Sequence, residues 1–300
     1  MSAARRGAST GTGVGGATRI IVLPDPAVLA EAVAARLVGA MLDAQADHGS
    51  AAVVLTGGTI AAKVYTTLRE GGLRNAVDWS MVDFWWGDER FLPAGHPDRN
   101  ATQARAALLD ALPLDPARVH PMPASDGLDG ADANAAAARY AALLAAAGSG
   151  ATATAKGATA TASGAAGAGN RASTGPLGLP RFDVLLLGVG EDGHIASIFP
   201  NHPLLSPTST VSAVTGSPKP PPVRLTLTLP TINTAREIWL VAAGAAKAEA
   251  VNAALAGADP LLVPSAGATA AERTLWLLDR AAAAGLPHPG SDNARGSDRS

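Results

Sequence analysis

Short apolar runs that end at glycine constrain the fold of this chain more than any other feature. AAVVLT at 51–56 and EIWLVAA at 237–243 each run directly into a glycine, and DVLLLG at 183–188 ends on one. Runs of this length, with helical patterns between them, indicate strands that alternate with helices. Strands of this kind are buried on both faces of a largely parallel sheet. The sequence therefore predicts an α/β, Rossmann-like fold, with a mainly parallel twisted sheet and helices on both faces.

The alternation of strands and helices indicates a single α/β domain over residues 18–283. Residues 1–17 and 284–300 have a polar composition that predicts disordered tails. Residues 148–176 form a low-complexity segment of small residues, which buries little apolar surface. Because the strand-helix pattern resumes after it, this segment is interpreted as a surface insertion and not as a linker between domains.

Charge and composition exclude several classes of function. A net charge of −2 gives no basic surface for nucleic acid. The chain contains no cysteine, which excludes disulfides and thiolate metal sites and fits a reducing compartment. No run of about 18 apolar residues is present to span a membrane. We therefore expect a cytoplasmic monomer without a metal or cofactor, whose partner is a small molecule and not a membrane or a nucleic acid.

The strongest chemical signal is the stretch DVLLLGVGEDGHIASIFP at 183–200. A strand here leads into Gly188, Gly190 and Gly193, and His194 follows the last of them. The carboxyl edge of an open α/β sheet is where ligands bind, and glycines let backbone N–H groups approach an anion closely. Histidine titrates near neutral pH and can act there as a base. This pattern favours chemistry on a phosphorylated substrate.

Two other interpretations of this stretch stay open at this point. The glycine spacing also matches the dinucleotide fingerprint, which expects an acidic residue about 20 positions further on. No Asp or Glu occurs at 193–236, and the carboxylates of Glu191 and Asp192 would repel a pyrophosphate. The second alternative is an ordinary strand-to-helix turn with a histidine on the surface.

Two more strand ends carry groups suited to a sugar phosphate. In TGGT at 56–59, Gly57 and Gly58 expose backbone N–H groups, and Thr59 can cap the following helix or donate its hydroxyl. The alternative is a plain capped turn.

In WGDER at 86–90, Arg90 can grip a phosphate with its planar guanidinium. Asp88 and Glu89 can bind sugar hydroxyls or orient Arg90. The alternative is a solvated charged loop.

Two isolated basic residues follow or open later strands. Arg224 opens the run RLTLTL, which alternates like a half-exposed strand. Lys247 lies in the first turn of a helix, where a cation is unfavourable for the helix dipole. That small cost suggests that Lys247 has a use, such as neutralising a phosphate.

Together these segments resemble the 6-phosphogluconolactonases of the pentose phosphate pathway. VVLTGGT, WWGDERFLPAGHPDRN and LGVGEDGHIASIFP are similar to the blocks of that family, as are RLTLTLP, GAAKAEAV and TLWLLD further on. The resemblance covers residues 18–283. Arg99 departs from it, because many members carry Ser before the residue that is Asn100 here.

The resemblance implies a fold shared with amino-sugar-phosphate isomerases and ribose-phosphate isomerases. It also implies hydrolysis of 6-phospho-D-glucono-1,5-lactone without a metal. His194 would be the general base, oriented by Asp192, and backbone N–H groups of the glycine turn would stabilise the oxyanion. The phosphate would be held by Gly57, Gly58, Thr59, Arg90, Arg224 and Lys247.

Two rival functions fit a related fold. A glucosamine-6-phosphate deaminase-like isomerase shares the GG loop and the DGH block, but such enzymes tend toward Ala-Phe-Asn-Glu where this chain has SIFP at 197–200. A non-catalytic sugar-phosphate-binding protein would use the same cavity without chemistry. Such regulators usually carry a basic helix-turn-helix segment, which this sequence does not show.

Overall fold

The computed structural model describes residues 16–149, 175–203 and 208–287. The predicted insertion and tails lie outside these residues except at their edges: Ala17 belongs to the first strand, Gly148 ends a helix, and residues 175–176 and 284–287 are described. Over the described residues the strands and α-helices run in the order β1 (Ala17–Leu23), α1 (Pro26–His48), β2 (Ala51–Leu55), α2 (Thr59–Glu70), β3 (Val82–Trp86), β4 (Asp88–Arg90), α3 (Asn100–Ala107), α4 (Ala133–Gly148), β5 (Val184–Gly188), β6 (Val211–Val214), β7 (Arg224–Leu227), α5 (Leu229–Ile232), β8 (Glu237–Ala242), α6 (Ala248–Leu255) and β9 (Arg273–Asp279).

Six strands form one sheet in the order β1-β9-β8-β5-β2-β3, and every pairing in it is parallel. All six residues of β8 are buried, as are the first four of β5. Since successive side chains of a strand point to opposite faces, both faces of the sheet are covered. The predicted α/β fold with a mainly parallel sheet is confirmed.

The parallel arrangement brings four loops to one edge of the sheet. The strands β2, β3, β5 and β8 run in the same direction, so the segments that follow them leave at the same edge. These segments are residues 56–59, 87–90, 189–194 and 243–247. The TGGT and WGDER motifs, the glycine turn with His194, and Lys247 therefore meet at this edge.

A second, three-stranded antiparallel sheet in the order β4-β7-β6 stands beside that edge; it excludes one alternative and corrects one prediction. Asp88–Arg90 is a strand, which excludes the alternative of a solvated loop. Arg224–Leu227 is not half-exposed, because all four residues are buried. The alternation of RLTL misled because β7 is the central strand of this sheet and α4 packs against it.

Candidate active site

An open cavity of about 700 Å³ lies at the carboxyl edge of the large sheet. The sequence identified eight of the residues that line it: Gly57, Gly58, Thr59, Asp88, Arg90, His194, Arg224 and Lys247. Sequence reasoning missed three polar residues of the lining: Lys63, Asn100 and Lys219. Lys63 could have been found from its position, since it follows Thr59 by four residues and so returns to the same face of a helix.

His194 is paired with a carboxylate inside its own turn. Its Nδ1 lies 2.5 Å from Oδ1 of Asp192, and its side chain is only 18% exposed. Asp192 itself is not among the lining residues. A carboxylate that accepts the Nδ1 proton fixes the tautomer in which Nε2 carries a free lone pair. Nε2 is therefore the atom that can take a proton from a ligand or a water molecule in the cavity.

Gly190 is required because the histidine ring lies directly over it. A Cβ built at Gly190 would be 1.9 Å from Nδ1 of His194 and 2.4 Å from Oδ1 of Asp192. The turn is closed by Gly190 N–H, which donates to the carbonyl of His194 at 2.8 Å. The glycine spacing that stood out in the sequence thus serves the His194–Asp192 pair.

We expect Gly190→Ala to lower kcat by about 10²-fold, since displacing a catalytic group by about 1 Å has an effect of that size. The added methyl group must push the imidazole away from Asp192. Steady-state kinetics and the melting temperature would be measured together. Gly39→Ala is the matched control, because a Cβ at that helical position meets no atom within 4 Å. An unchanged kcat in Gly190→Ala would show that Gly190 is not needed to position His194.

The Asp192 carboxyl is held in its charged form. Partial burial acts to raise its pKa, but the hydrogen bond and the charge interaction with His194 outweigh that effect, and Lys219 adds to them. The pKa of Asp192 therefore lies well below its ordinary value. Because the folded-state pKa is lowered, the stabilisation from this pair is complete above the ordinary pKa of Asp and is lost as the pH falls through the lower, folded-state value.

We expect the Asp192 carboxyl to stay ionised at every pH above about 4, the ordinary range of an aspartate. Carbon-13 NMR of the labelled carboxyl group, titrated from pH 7 downward, would measure this, and Asp192→Asn would assign the resonance. A titration midpoint above the ordinary pKa of aspartate would show that burial, and not His194, determines the pKa of Asp192.

Helix α2 directs its amino terminus into the cavity. Gly58 is its N-cap with φ of 99°, a left-handed conformation that favours glycine, and no side chain caps it among the described residues. The hydroxyl of Tyr65 bonds both the N–H and the carbonyl of Thr56, which fixes the start of the loop. The first N–H groups of a helix without a capping side chain, together with the positive end of its dipole, make an anion site.

Two arginines lie opposite each other where β4 pairs with β7. Arg90 is the register partner of Arg224, and both line the cavity. Like charges at directly opposed positions repel each other, so an anion between them would be stabilising. Nη1 of Arg90 donates to the carbonyl of Asp98 at 2.6 Å, which orients this side chain.

Arg224 has a second role that the sequence did not predict. Its guanidinium donates to the carbonyls of Lys219, Pro220 and Pro221 at 3.1, 3.0 and 3.3 Å, so much of its hydrogen-bonding capacity holds a loop. Burial lowers the pKa of Arg224, with opposing effects from Asp88 and a further decrease from Arg90. The group nevertheless stays charged, as arginine does in proteins.

The interpretation of Glu89 as a sugar ligand is wrong. Its side chain is fully buried and does not line the cavity. Its carboxylate accepts the N–H groups of Arg90, Asn100 and Ala101 at 2.8, 2.7 and 2.9 Å, and Nη2 of Arg99 lies 3.6 Å away. Burial raises the pKa of Glu89, while Arg99 and these N–H groups oppose the rise. Glu89 therefore joins β4 to the start of α3 and contacts no substrate.

Arg99, the residue at which this sequence departs from the pattern it resembles, is part of the same buried structure. It is 3% exposed and donates to the carbonyls of Leu92, Met122 and Pro123. Its role is to pair with Glu89 and to tie these segments together, outside the cavity.

Asp88 is held by two neighbours from other elements. Ser197 Oγ donates to its Oδ2 at 2.7 Å, and Asn100 Nδ2 lies 3.3 Å from its Oδ1. Asn100 also lies against the TGGT loop, because a Cβ at Gly57 would be 2.0 Å from its Oδ1. These contacts connect the segment that carries His194 and Ser197, strand β4 and the TGGT loop at 56–59.

Over the described residues, no group of three or more His, Cys, Asp or Glu side chains could hold a metal ion. In the same part of the chain, no helix combines the length and apolarity needed to cross a bilayer.

The fold and the cavity define an α/β protein that can bind an anion beside a carboxylate-paired imidazole. The chain belongs to the family of glucosamine-6-phosphate isomerases and 6-phosphogluconolactonases, which it matches over residues 24–276. The resemblance inferred from the motifs is thereby confirmed.

Individual relatives support the same assignment. The chain is 53% identical over 270 residues to a 6-phosphogluconolactonase of Streptomyces coelicolor, covering 90% of this chain and 95% of the relative. It is 45% identical over 271 residues to that of Mycobacterium tuberculosis, covering 89% and 98%. The solved 6-phosphogluconolactonase of Trypanosoma brucei has a TM-score of 0.70 at 28% identity, covering 90% and 99%. A monomeric glucosamine-6-phosphate deaminase, at 21% identity and a TM-score of 0.65 over 88% and 98%, shares the fold alone.

Proposed function

We propose that this protein is a 6-phosphogluconolactonase, which hydrolyses 6-phospho-D-glucono-1,5-lactone to 6-phospho-D-gluconate. The observation that carries the proposal is the His194–Asp192 pair, 2.5 Å apart, beside an anion-binding cavity. Relatives of this name at up to 53% identity over most of the chain support it.

The chemistry requires one base and a fixed substrate. Nε2 of His194 takes a proton from water as the water oxygen attacks C1 of the lactone, and the carbonyl electron pair moves onto its oxygen. When the tetrahedral intermediate collapses, the bond from C1 to the ring oxygen breaks, and that oxygen takes the proton from the imidazolium. The products are a free hydroxyl and a carboxylic acid, which ionises. A positioned base of this kind typically contributes about 10²–10⁴-fold.

The phosphate of the substrate supplies the binding energy that positions C1. The amino terminus of α2, at Gly57, Gly58 and Thr59, provides N–H donors, and Lys63 lies one helical turn further on the same side. Arg90 and Arg224 add two opposed cations. Lys247, whose Nζ lies 3.8 Å from a Glu191 oxygen, completes the set. Binding energy from a remote group of this kind lowers the barrier at the reacting atom.

Deamination of an amino sugar would need a carboxylate in the cavity that can exchange a proton with the substrate. Among the described residues the lining carries two carboxylates: Asp88 accepts hydrogen bonds from Ser197 and Asn100, and Glu191 pairs with Lys247. The ammonia assay below therefore tests this rival function directly.

The absence of a cofactor, the cytoplasmic location and the monomeric state stay predictions from the sequence.

The test is a pH-stat assay on freshly made lactone, with spontaneous hydrolysis subtracted. We expect acid release that saturates with the phosphorylated lactone. The same preparation incubated with glucosamine 6-phosphate should release no ammonia. Ammonia release, or an acid-release rate equal to the spontaneous rate, would overturn the proposed function.

A further inference from the structure

Lys219 is a cation of the cavity that the mechanism above does not use. Its Nζ lies 3.9 Å from Oδ1 of Asp192, the same oxygen that meets Nδ1 of His194 at 2.5 Å. Lys219 also lines the cavity, and its side chain is 44% exposed. Its ammonium is therefore at the histidine end of the cavity, within reach of a group bound against the imidazole.

Hydrogen bonds hold the backbone of Lys219 in place, although its side chain is partly exposed. Ser217 Oγ donates to its carbonyl at 2.9 Å and accepts its N–H at 3.3 Å. Arg224 donates to the same carbonyl and to those of the two prolines that follow. The guanidinium of Arg224 and the imidazole of His194 both lie on the ring of Phe199, at 5.8 and 4.7 Å from its centroid. The loop that carries Lys219 is thus connected to His194 through Arg224 and Phe199.

The reaction needs a donor for the oxyanion, and two N–H groups of the glycine turn that the sequence analysis assigned to it are used within the turn. The N–H of Gly190 donates to the carbonyl of His194, and the N–H of Gly193 donates to the carbonyl of Gly190 at 3.1 Å. A cation at the histidine end of the cavity would be a stronger partner for the charge that develops on the carbonyl oxygen.

We propose that the ammonium of Lys219 stabilises this oxyanion, which rests on the lactonase function proposed above. As water attacks C1, the carbonyl electron pair moves onto the oxygen, which accepts a hydrogen bond from Nζ. Lys219 keeps its proton throughout, and the proton from water goes to Nε2 of His194 as before. After hydrolysis, Nζ of Lys219 binds the C1 carboxylate of the product, 6-phospho-D-gluconate. Asp192 completes the arrangement, because it keeps the ammonium next to the imidazole without lying in the cavity.

The kinetic test compares two lysines of the same cavity. Lys219→Met should lower kcat on the phosphorylated lactone by about 10²–10³-fold, the effect of removing one oxyanion donor, with KM changed little. Lys63→Met, the comparison variant at the phosphate end, should instead act mainly by raising KM, with a fall in kcat much smaller than that of Lys219→Met. A rise in KM without a fall in kcat for Lys219→Met would make Lys219 a phosphate ligand and overturn the proposal.

Equilibrium binding gives a readout that does not depend on turnover. Calorimetry would compare 6-phosphogluconate, which has a carboxylate at C1, with D-glucitol 6-phosphate, which has a neutral CH2OH there. Lys219→Met should weaken the binding of 6-phosphogluconate at least about tenfold and change that of glucitol 6-phosphate less than twofold. Equal weakening of both ligands, or unchanged affinity for 6-phosphogluconate, would reject the oxyanion role. Wild-type protein that binds both ligands without hydrolysing the lactone would instead reject the proposed function.

Discussion

His194→Ala should lower kcat by about 10²–10⁴-fold, because it removes the imidazole whose Nε2 is proposed to accept a proton from water. The binding of glucitol 6-phosphate should survive, since the phosphate contacts proposed above come from α2, Lys247 and the two opposed arginines. A pH-stat assay with subtraction of spontaneous hydrolysis measures the first effect, and calorimetry measures the second.

The control for this variant is His48→Gln. His48 ends helix α1 and contacts Asp183, the residue that precedes strand β5, at the opposite edge of the sheet. Its replacement removes a partly buried histidine without touching the cavity, so kcat should stay unchanged. A His194→Ala variant with near-normal turnover would remove the imidazole from the mechanism.

Glu89→Gln should destabilise the protein by about 3–5 kcal/mol, the usual cost of leaving one charge of a buried pair without its partner. The isosteric amide removes the charge opposite Arg99 and replaces one acceptor of backbone N–H groups with a donor. For a domain of this size, the melting temperature should fall by on the order of 10 °C. Thermal and urea unfolding, followed by circular dichroism, would measure the change.

Glu70→Gln is the matched control for Glu89→Gln. Glu70 also pairs with an arginine, at 3.2 Å, but its side chain is 67% exposed. An exposed pair contributes at most about 1 kcal/mol, so this change should have little effect on unfolding. Comparable losses in the two variants would show that burial does not determine the contribution of Glu89.

Glu89 and its two neighbours show that a motif of charged residues does not predict which of its side chains face the cavity and which are buried. Asp88, Glu89 and Arg90 are consecutive and charged, and the sequence assigned all three to ligand contacts. In a strand, successive side chains point to opposite sides, so Asp88 and Arg90 face the cavity while Glu89 faces the interior. The error came from not recognising Asp88–Arg90 as a strand, which only its pairing with β7 shows.

Lys219 and Asn100 show a different limit. Neither residue follows a strand of the large sheet, and neither was assigned a role from the sequence, although Asn100 closes the block WWGDERFLPAGHPDRN. They reach the cavity because the small antiparallel sheet and helix α3 fold against the sheet edge. Long-range placement of this kind leaves no local signal in a single sequence.

The sequence by itself determined the parallel sheet, the loops at its carboxyl edge and the presence of a histidine there. These follow from local rules: apolar runs make strands, glycine permits tight turns, and parallel strands end at the same edge. The tertiary structure alone decided which charges are buried and which line the cavity. Burial depends on contacts between separate elements, such as Arg99 at the start of α3 with Glu89 in β4, and Lys219 with Asp192, and only packing establishes those contacts.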